Sequence, residues 1–198
     1  MLSLRKPTPR QIDRFLQSQA ALELTYRNVG ATAADPPERY VVDHTRVELG
    51  SGDDVFEEAR KSLESWEQFS LPWLAAAPAS TAIEPDAVVA IVAYTFGIWW
   101  LNACRIVYVI DESDASSRRF GFAYGTLPAH AGSGEERFLI EKDGDGRIWY
   151  DVLAFSRPHH LLARVGYPLV RRIQRRFGSE SGENVRARVT QRLHSPGA

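Results

Sequence analysis

The 198 residues carry 24 basic and 25 acidic side chains, with 44% hydrophobic and 25% charged positions, the composition of one ordinary globular domain that needs no metal or disulfide to hold its core. A single cysteine, Cys104, excludes an intramolecular disulfide and a thiolate metal cluster, and its apolar surroundings mark it as a buried, inert thiol. Net charge near zero hides an asymmetry: residues 1–156 sum to −8 and residues 157–198, with nine arginines, to +7.

The N-terminus, MLSLRKPTPR, has no apolar signal-peptide core, so a cytoplasmic location is the simplest expectation. The first helix is announced by TPRQIDRFLQSQ. Thr8 caps it, Pro9 suits its first position, Gln11 completes a capping box, and Ile12, Phe15 and Leu16 form its apolar stripe. YVVDHTRVEL (40–49) reads as a strand that GSG (50–52) ends. A second helix follows, with Asp53 and Asp54 at its positive end and Val55, Phe56, Ala59, Leu63 and Trp66 at helical spacing. Pro72, Pro78 and Pro85 then punctuate a loop with room for one short edge strand near Trp73.

The run 87–104 has eighteen uncharged residues, about the length of a membrane span, yet its Val, Ile and aromatic content and Gly97 suit buried strands better. Strands are predicted at 87–96, 99–111, 118–126, 135–142 and 147–156. Their short, turn-rich links argue for an antiparallel meander. DGDG (143–146) lacks the oxygen ligands of a calcium loop and reads as a hairpin turn.

The final helix places Leu162, Val165, Leu169, Ile173 and Phe177 on one stripe, with arginines over the rest and a kink expected at Pro168. A stop is expected at Gly178, giving one domain over 1–178 and a mobile basic tail over 179–198. The tail has no aromatic residue with which to stack bases, so nucleic acid is not expected as a partner. Helices before and after a long antiparallel run predict an α+β fold: a curved antiparallel sheet gripping a C-terminal amphipathic helix, with additional N-terminal helices and a pocket between helix and sheet.

The pattern offers neither a dinucleotide fingerprint nor a P-loop, and no cofactor or metal is expected. Pleating sends Glu135 and Glu136 to opposite faces. Glu136 shares the inward face with Phe138 and Ile140. An inward carboxylate needs a partner or a raised pKa. Loop parity decides whether Asp151 or Tyr150 and Val152 share its face, and Arg105 is a candidate structural partner. Phe120, Phe122 and Tyr124 form an aromatic wall. Behind them Gly121, Ala123 and Gly125 let something approach the backbone: the C-terminal helix or a ligand. Tyr94, Trp100 and Tyr124 are expected to wall the pocket, with Asn102, Glu136 and Arg157 as polar anchors.

TYRNVGAT (25–32), NACRIVYVIDE (102–112), RRFGFAYGTLPAH (118–130), GEERF (134–138) and AFSRP (154–158) resemble an uncharacterised bacterial and plant family of unknown function. It also occurs at the C-terminus of YndJ-type membrane proteins and resembles the START/Bet v 1-like helix-grip superfamily. The resemblance runs from about residue 3 to 177. It implies that fold and a hydrophobic cavity, and it carries over no catalytic role. Tyr124, Thr126, His130, Glu136, Ser156 and Arg157 are matched positions at which to look. Three functions follow as expectations. The first is binding of an apolar or aromatic small molecule. The second is an acid/base enzyme of cyclase, hydrolase or dehydratase type, using Glu136 with Asp151 or His130. The third is an interaction module built on the arginine face of 164–176.

Overall fold

The computed structural model describes residues 1–114, 118–159 and 166–194. In chain order they form β1 (Leu2–Ser3), α1 (Pro9–Gln19), β2 (Val41–Ser51), α2 (Asp53–Glu64), β3 (Leu74–Ala77), β4 (Val88–Thr95), β5 (Ile98–Ser113), β6 (Arg118–Thr126), β7 (Gly132–Lys142), β8 (Arg147–Pro158) and α3 (Tyr167–His194). The strands make one antiparallel sheet in the order β2-β8-β7-β6-β5-β4-β3, with β1 added to β5. The predicted meander is therefore present, and β2 closes its far end against β8 rather than its near end.

Local chemistry produces these elements as expected at the start of the chain. Thr8 and Gln11 exchange the two bonds of a capping box, and Pro9 opens α1. The sheet curls because β-bulges interrupt the register between Glu48 and Gly50 and between Ile106 and Tyr108. On the concave face α2 and the turn after it deliver Phe56, Leu63, Trp66 and Phe69 onto Phe122, Phe138 and Ile140. Phe69 stacks on Phe177 of α3 at 5.2 Å between ring centroids. Each such ring contributes about 1.5–3 kcal/mol on burial. On the convex face α1 sets Ile12 and Phe15 on Ala90, Val92, Leu101 and Ala103.

The C-terminal helix departs from expectation in two ways. Pro168 lies in the first turn of α3, where a missing N–H removes no helical bond, so it makes no kink. Leu162 and Val165, placed on the apolar stripe, lie outside the described residues. Nor does Gly178 end the helix: α3 continues to His194, so the tail expected to be mobile over 179–198 is helical as far as His194, and its last four residues lie outside the described residues. Gly178 and Gly182 are the points where α3 lies closest to β2. A Cβ on Gly182 would stand 2.5 Å from Val47 Cγ2, and one on Gly178 2.6 Å from Thr45 Oγ1. Beyond them Val185 and Val189 are fully buried, Tyr150 and Ser181 share a 2.6 Å hydrogen bond, and Arg192 pairs with Glu58 and Glu67.

On the convex side, what approaches the glycines behind the aromatic wall is not the C-terminal helix. At Gly125 it is the segment after α1, where Tyr26 Oη would lie 2.2 Å from an added Cβ; at Gly121 it is the neighbouring strand, where the Phe138 carbonyl oxygen would lie 2.2 Å away. That segment is tied down by buried Glu135, whose carboxylate accepts from Tyr26 Oη (2.7 Å), the Gly30 and Thr32 amides (2.7 and 2.9 Å) and Thr32 Oγ1 (2.5 Å). Arg105 belongs to this side too, donating to the carbonyls of Ala20 and Leu22 rather than to Glu136.

Two substitutions test these contacts. Gly182→Val should force α3 away from the stiff Val47 and cost about 1–3 kcal/mol in urea unfolding, whereas Ser179→Val on the exposed side should be near neutral. Glu135→Ala should strand several buried donors and cost about 3 kcal/mol or more. Wild-type stability in either Gly182→Val or Glu135→Ala would show that the contact is not tight.

Candidate functional site

A cleft of about 520 Å³ opens between the concave face and the first turns of α3. Its position follows from the sheet register. Tyr124 of β6, Glu136 of β7, Ala154 of β8 and Asp43 of β2 are successive cross-strand neighbours, so all four side chains rise from one face. Thr45, Val152 and Thr126 extend this floor; Ile173, Gln174 and Phe177 form the roof; Trp73, Leu74 and Ala93 close the far side.

Glu136 is the chemical feature of the floor. The Tyr124 hydroxyl donates to its Oε2 at 2.6 Å. Burial pushes its carboxyl up to about 7, the Tyr124 bond pulls the other way, and the Asp43 charge adds to the rise. Burial, with Glu136 beside it, also raises the Tyr124 phenol and the Cys104 thiol well above their usual ranges. Asp43, by contrast, is matched by a bidentate pair with Arg171 of α3. Gln174 adds a second tie across the cleft, donating to Ser156 Oγ at 2.9 Å.

Of the residues expected in the pocket, Asn102, Tyr124, Thr126, His130 and Glu136 line the cleft. Asn102 is engaged with the backbone, donating to Ile91 O and accepting from the Ala131 amide. Thr126 is similarly tied to both backbone groups of Gly134. His130 accepts from the Gly132 amide through Nδ1 at 2.9 Å, and burial lowers its pKa to about 4, so it stays neutral at ordinary pH. Trp100 lies beside the main cleft, in an adjoining space of about 240 Å³ that also touches Phe96, Leu169 and Ile173.

Two further expected residues lie outside the main cleft. Tyr94 points to the convex face, 44% exposed, with its ring 4.7 Å from that of Trp99. Arg157 is exposed and lies over the Tyr40 ring at 5.0 Å; it reaches only the rim of a smaller adjoining space. Alternation along β4 and β8 puts both on the opposite side from Glu136.

The hairpin register also settles the loop-parity question. Lys142 pairs with Ile148, so Ile140 faces Tyr150 and Phe138 faces Val152. Asp151 therefore lies on the convex face, buried against Arg137 (2.8 Å) and His44 (2.7 Å), and forms no acidic pair with Glu136. Sequence reading missed Asp43, Trp73 and Gln174, because the neighbours of β2 and the standing of α3 over the sheet come from long-range pairing. The polar alternation of Asp43 and Thr45 within β2 was the available signal. Among the described residues, no group of three or more His, Cys, Asp or Glu side chains could hold a metal ion, and no helix is long and apolar enough to cross a membrane.

A curled antiparallel sheet, a gripped C-terminal helix and a cleft between them define a helix-grip protein of the START/Bet v 1-like fold class. The fold is similar to that of the Zhui aromatase/cyclase from a Streptomyces species, with a TM-score of 0.55 over 81% of this chain and 99% of that one, at 11% identity. The chain belongs to the family described as "Domain of unknown function (DUF1990)", whose model matches residues 25–184. It is 38% identical to a UPF0548 protein of Arabidopsis thaliana over 149 residues, 74% of this chain and 72% of that protein. A UPF0548 protein of Dictyostelium discoideum is 32% identical over 199 residues, 91% and 92% of the two chains. One from Deinococcus radiodurans is 35% identical over 188 residues, 89% and 92%. The relatives thus include an amoeba as well as a plant and a bacterium.

The environment of Glu136 has a signed consequence for stability. Its folded pKa lies above the unfolded value of 4.5, so the folded state holds the proton longer and stability falls as pH rises from there to about 7. Glu136→Gln removes that fall. The variant should gain on wild type across this range, by about 3 kcal/mol at pH 8, measured by denaturant unfolding at several pH values. A variant that loses stability at pH 8 would mean that a cation compensates the carboxylate.

Proposed function

We propose that this protein binds a small, largely apolar molecule in the cleft between sheet and C-terminal helix, with Glu136 and Tyr124 as its polar anchor. The observation that carries the reading is the cleft itself: about 520 Å³, within the range of small-molecule sites, apolar along much of its wall and holding a few placed polar groups. The proposal includes shared descent with START/Bet v 1-like proteins and with the C-terminal domain of YndJ-type proteins, and action in the cytoplasm.

Glu136 also supports a second reading, an acid/base enzyme in the same cleft. A carboxyl near neutrality, hydrogen-bonded to a phenol and open to the cavity, suits proton transfer. Of the proposed helpers, Asp151 is on the other face, and His130 borders the cleft with its Nδ1 engaged by the Gly132 amide and its basicity lowered by burial. The interaction-module reading draws less support, because Arg171 and Arg176 spend their charge within the chain on Asp43 and Glu180.

The test is native mass spectrometry of freshly purified protein, followed by titration with a neutral fluorescent hydrophobe. Saturable one-to-one binding is expected, reduced at least about tenfold in Ala154→Trp, whose ring would fill the floor beside Glu136. Absence of saturable binding in wild type, or equal binding in a folded Ala154→Trp, would refute the cleft as the site.

A further inference from the structure

Among the described residues, Glu136 is the carboxylate of the cleft met by neither a counter-charge nor more than one hydrogen-bond donor. The surrounding groups account for themselves. Asp43 on β2 is paired with Arg171. Tyr150 on β8 bonds to Ser181, and Cys104 on β5 is a buried thiol. His130 is neutral in its loop, and Arg175 at the rim directs its Nε to the Arg171 carbonyl. Glu180, farther along α3, is met by Arg176 and by Trp73 Nε1. Arg105, Arg137 and Asp151 stand on the convex side. Among the described residues, the hydrogen bond to Glu136 comes from the neutral Tyr124 hydroxyl at Oε2, and its side chain lines the cavity.

Resting on the binding function proposed above, we infer that the cleft selects ligands carrying a protonated amine on an apolar, preferably aromatic, body. A desolvated carboxylate is costly until a cation meets it. An ammonium group donates hydrogen bonds to Glu136 and supplies the charge that Tyr124 does not. The rings of Tyr124, Phe177 and Trp73 border the cleft and suit an aromatic body. A carboxylate ligand meets the like charges of Glu136 and Asp43. A neutral alcohol can share a hydrogen bond there but brings no counter-charge.

The selection is linked to protons. Burial, opposed by the Tyr124 bond and reinforced by Asp43, holds the free Glu136 carboxyl near 7, and a bound ammonium pulls it down. Below that pH, amine binding expels the Glu136 proton; an alcohol leaves it in place.

Isothermal titration calorimetry with phenylbutylamine, phenylbutanol and phenylpentanoate separates these cases. The titrations are run near pH 6 and pH 8 in buffers of different ionisation enthalpy. The expected result at pH 8 is amine over alcohol by about tenfold or more, with the carboxylate weakest. Near pH 6 the amine advantage shrinks and its binding releases close to one proton per site, while alcohol binding releases none. Glu136→Gln should bring the amine-to-alcohol ratio to about one and abolish the proton release. Equal amine and alcohol affinity in wild type without proton release overturns amine selection and leaves the binding cleft standing. Tightest binding of the carboxylate overturns it in favour of an anion site at Arg175. Failure of all three to bind overturns both readings.

Discussion

The structure turns on two successive carboxylates of β7 that the strand pleat sends to opposite faces. Glu135 goes to the convex side and meets four donors from the segment after α1. It is a saturated acceptor, and its work is to fasten that segment over β6 and β7. Glu136 goes to the concave side and meets one phenol. The nearby cations follow the same pleat: Arg137 is on the side of Glu135, and Arg105 is spent on the carbonyls that follow α1. Alternation thus sorts charge, leaving the inner carboxylate poor in partners because the outer face holds them.

The cleft above Glu136 exists because α3 touches the sheet unevenly. From Gly178 onward two glycines and a serine bring its backbone against Thr45, Val47 and Tyr150, and Val185 and Val189 seal that half. Nearer its start, Ile173, Gln174 and Phe177 stand over open space. There the helix is tied to the sheet through polar side chains, Arg171 to Asp43 and Gln174 to Ser156. One half of the helix is thus fastened by close packing and the other by reach, and a reach leaves room beneath it.

Much of this was legible in the sequence where the signal is local. The capping box of Thr8 and Gln11, the helical spacing from Val55 to Trp66 and the alternation of Phe120, Phe122 and Tyr124 each depend on residues within a few positions of one another. The inward direction of Glu136 and the helix-grip architecture were legible for the same reason. The end of α3 was not. Gly178 reads as a helix stop by propensity, and only the surface of β2, about 130 residues earlier, shows that it is a contact point. Tyr94 and Arg157 were misplaced because aromatic or cationic character was weighed above strand parity. The places of Trp73 and Asp43 in the cleft are set by long-range pairing, of which the alternation of Asp43 and Thr45 is the one local sign.

What the chain spends on Glu136 argues for its use. A glutamine at the same place would keep the shape, accept from Tyr124 and carry no buried charge. An arginine reach across the cleft is already built, and it stops at Asp43. Glu135, one residue away, shows how fully this fold can satisfy a buried carboxylate when its role is structural. Departures from local consistency concentrate where a protein does its chemistry or its binding. Here the departure is one carboxylate, in the one strand that carries its satisfied counterpart, at the floor of a cleft large enough to hold what would complete it.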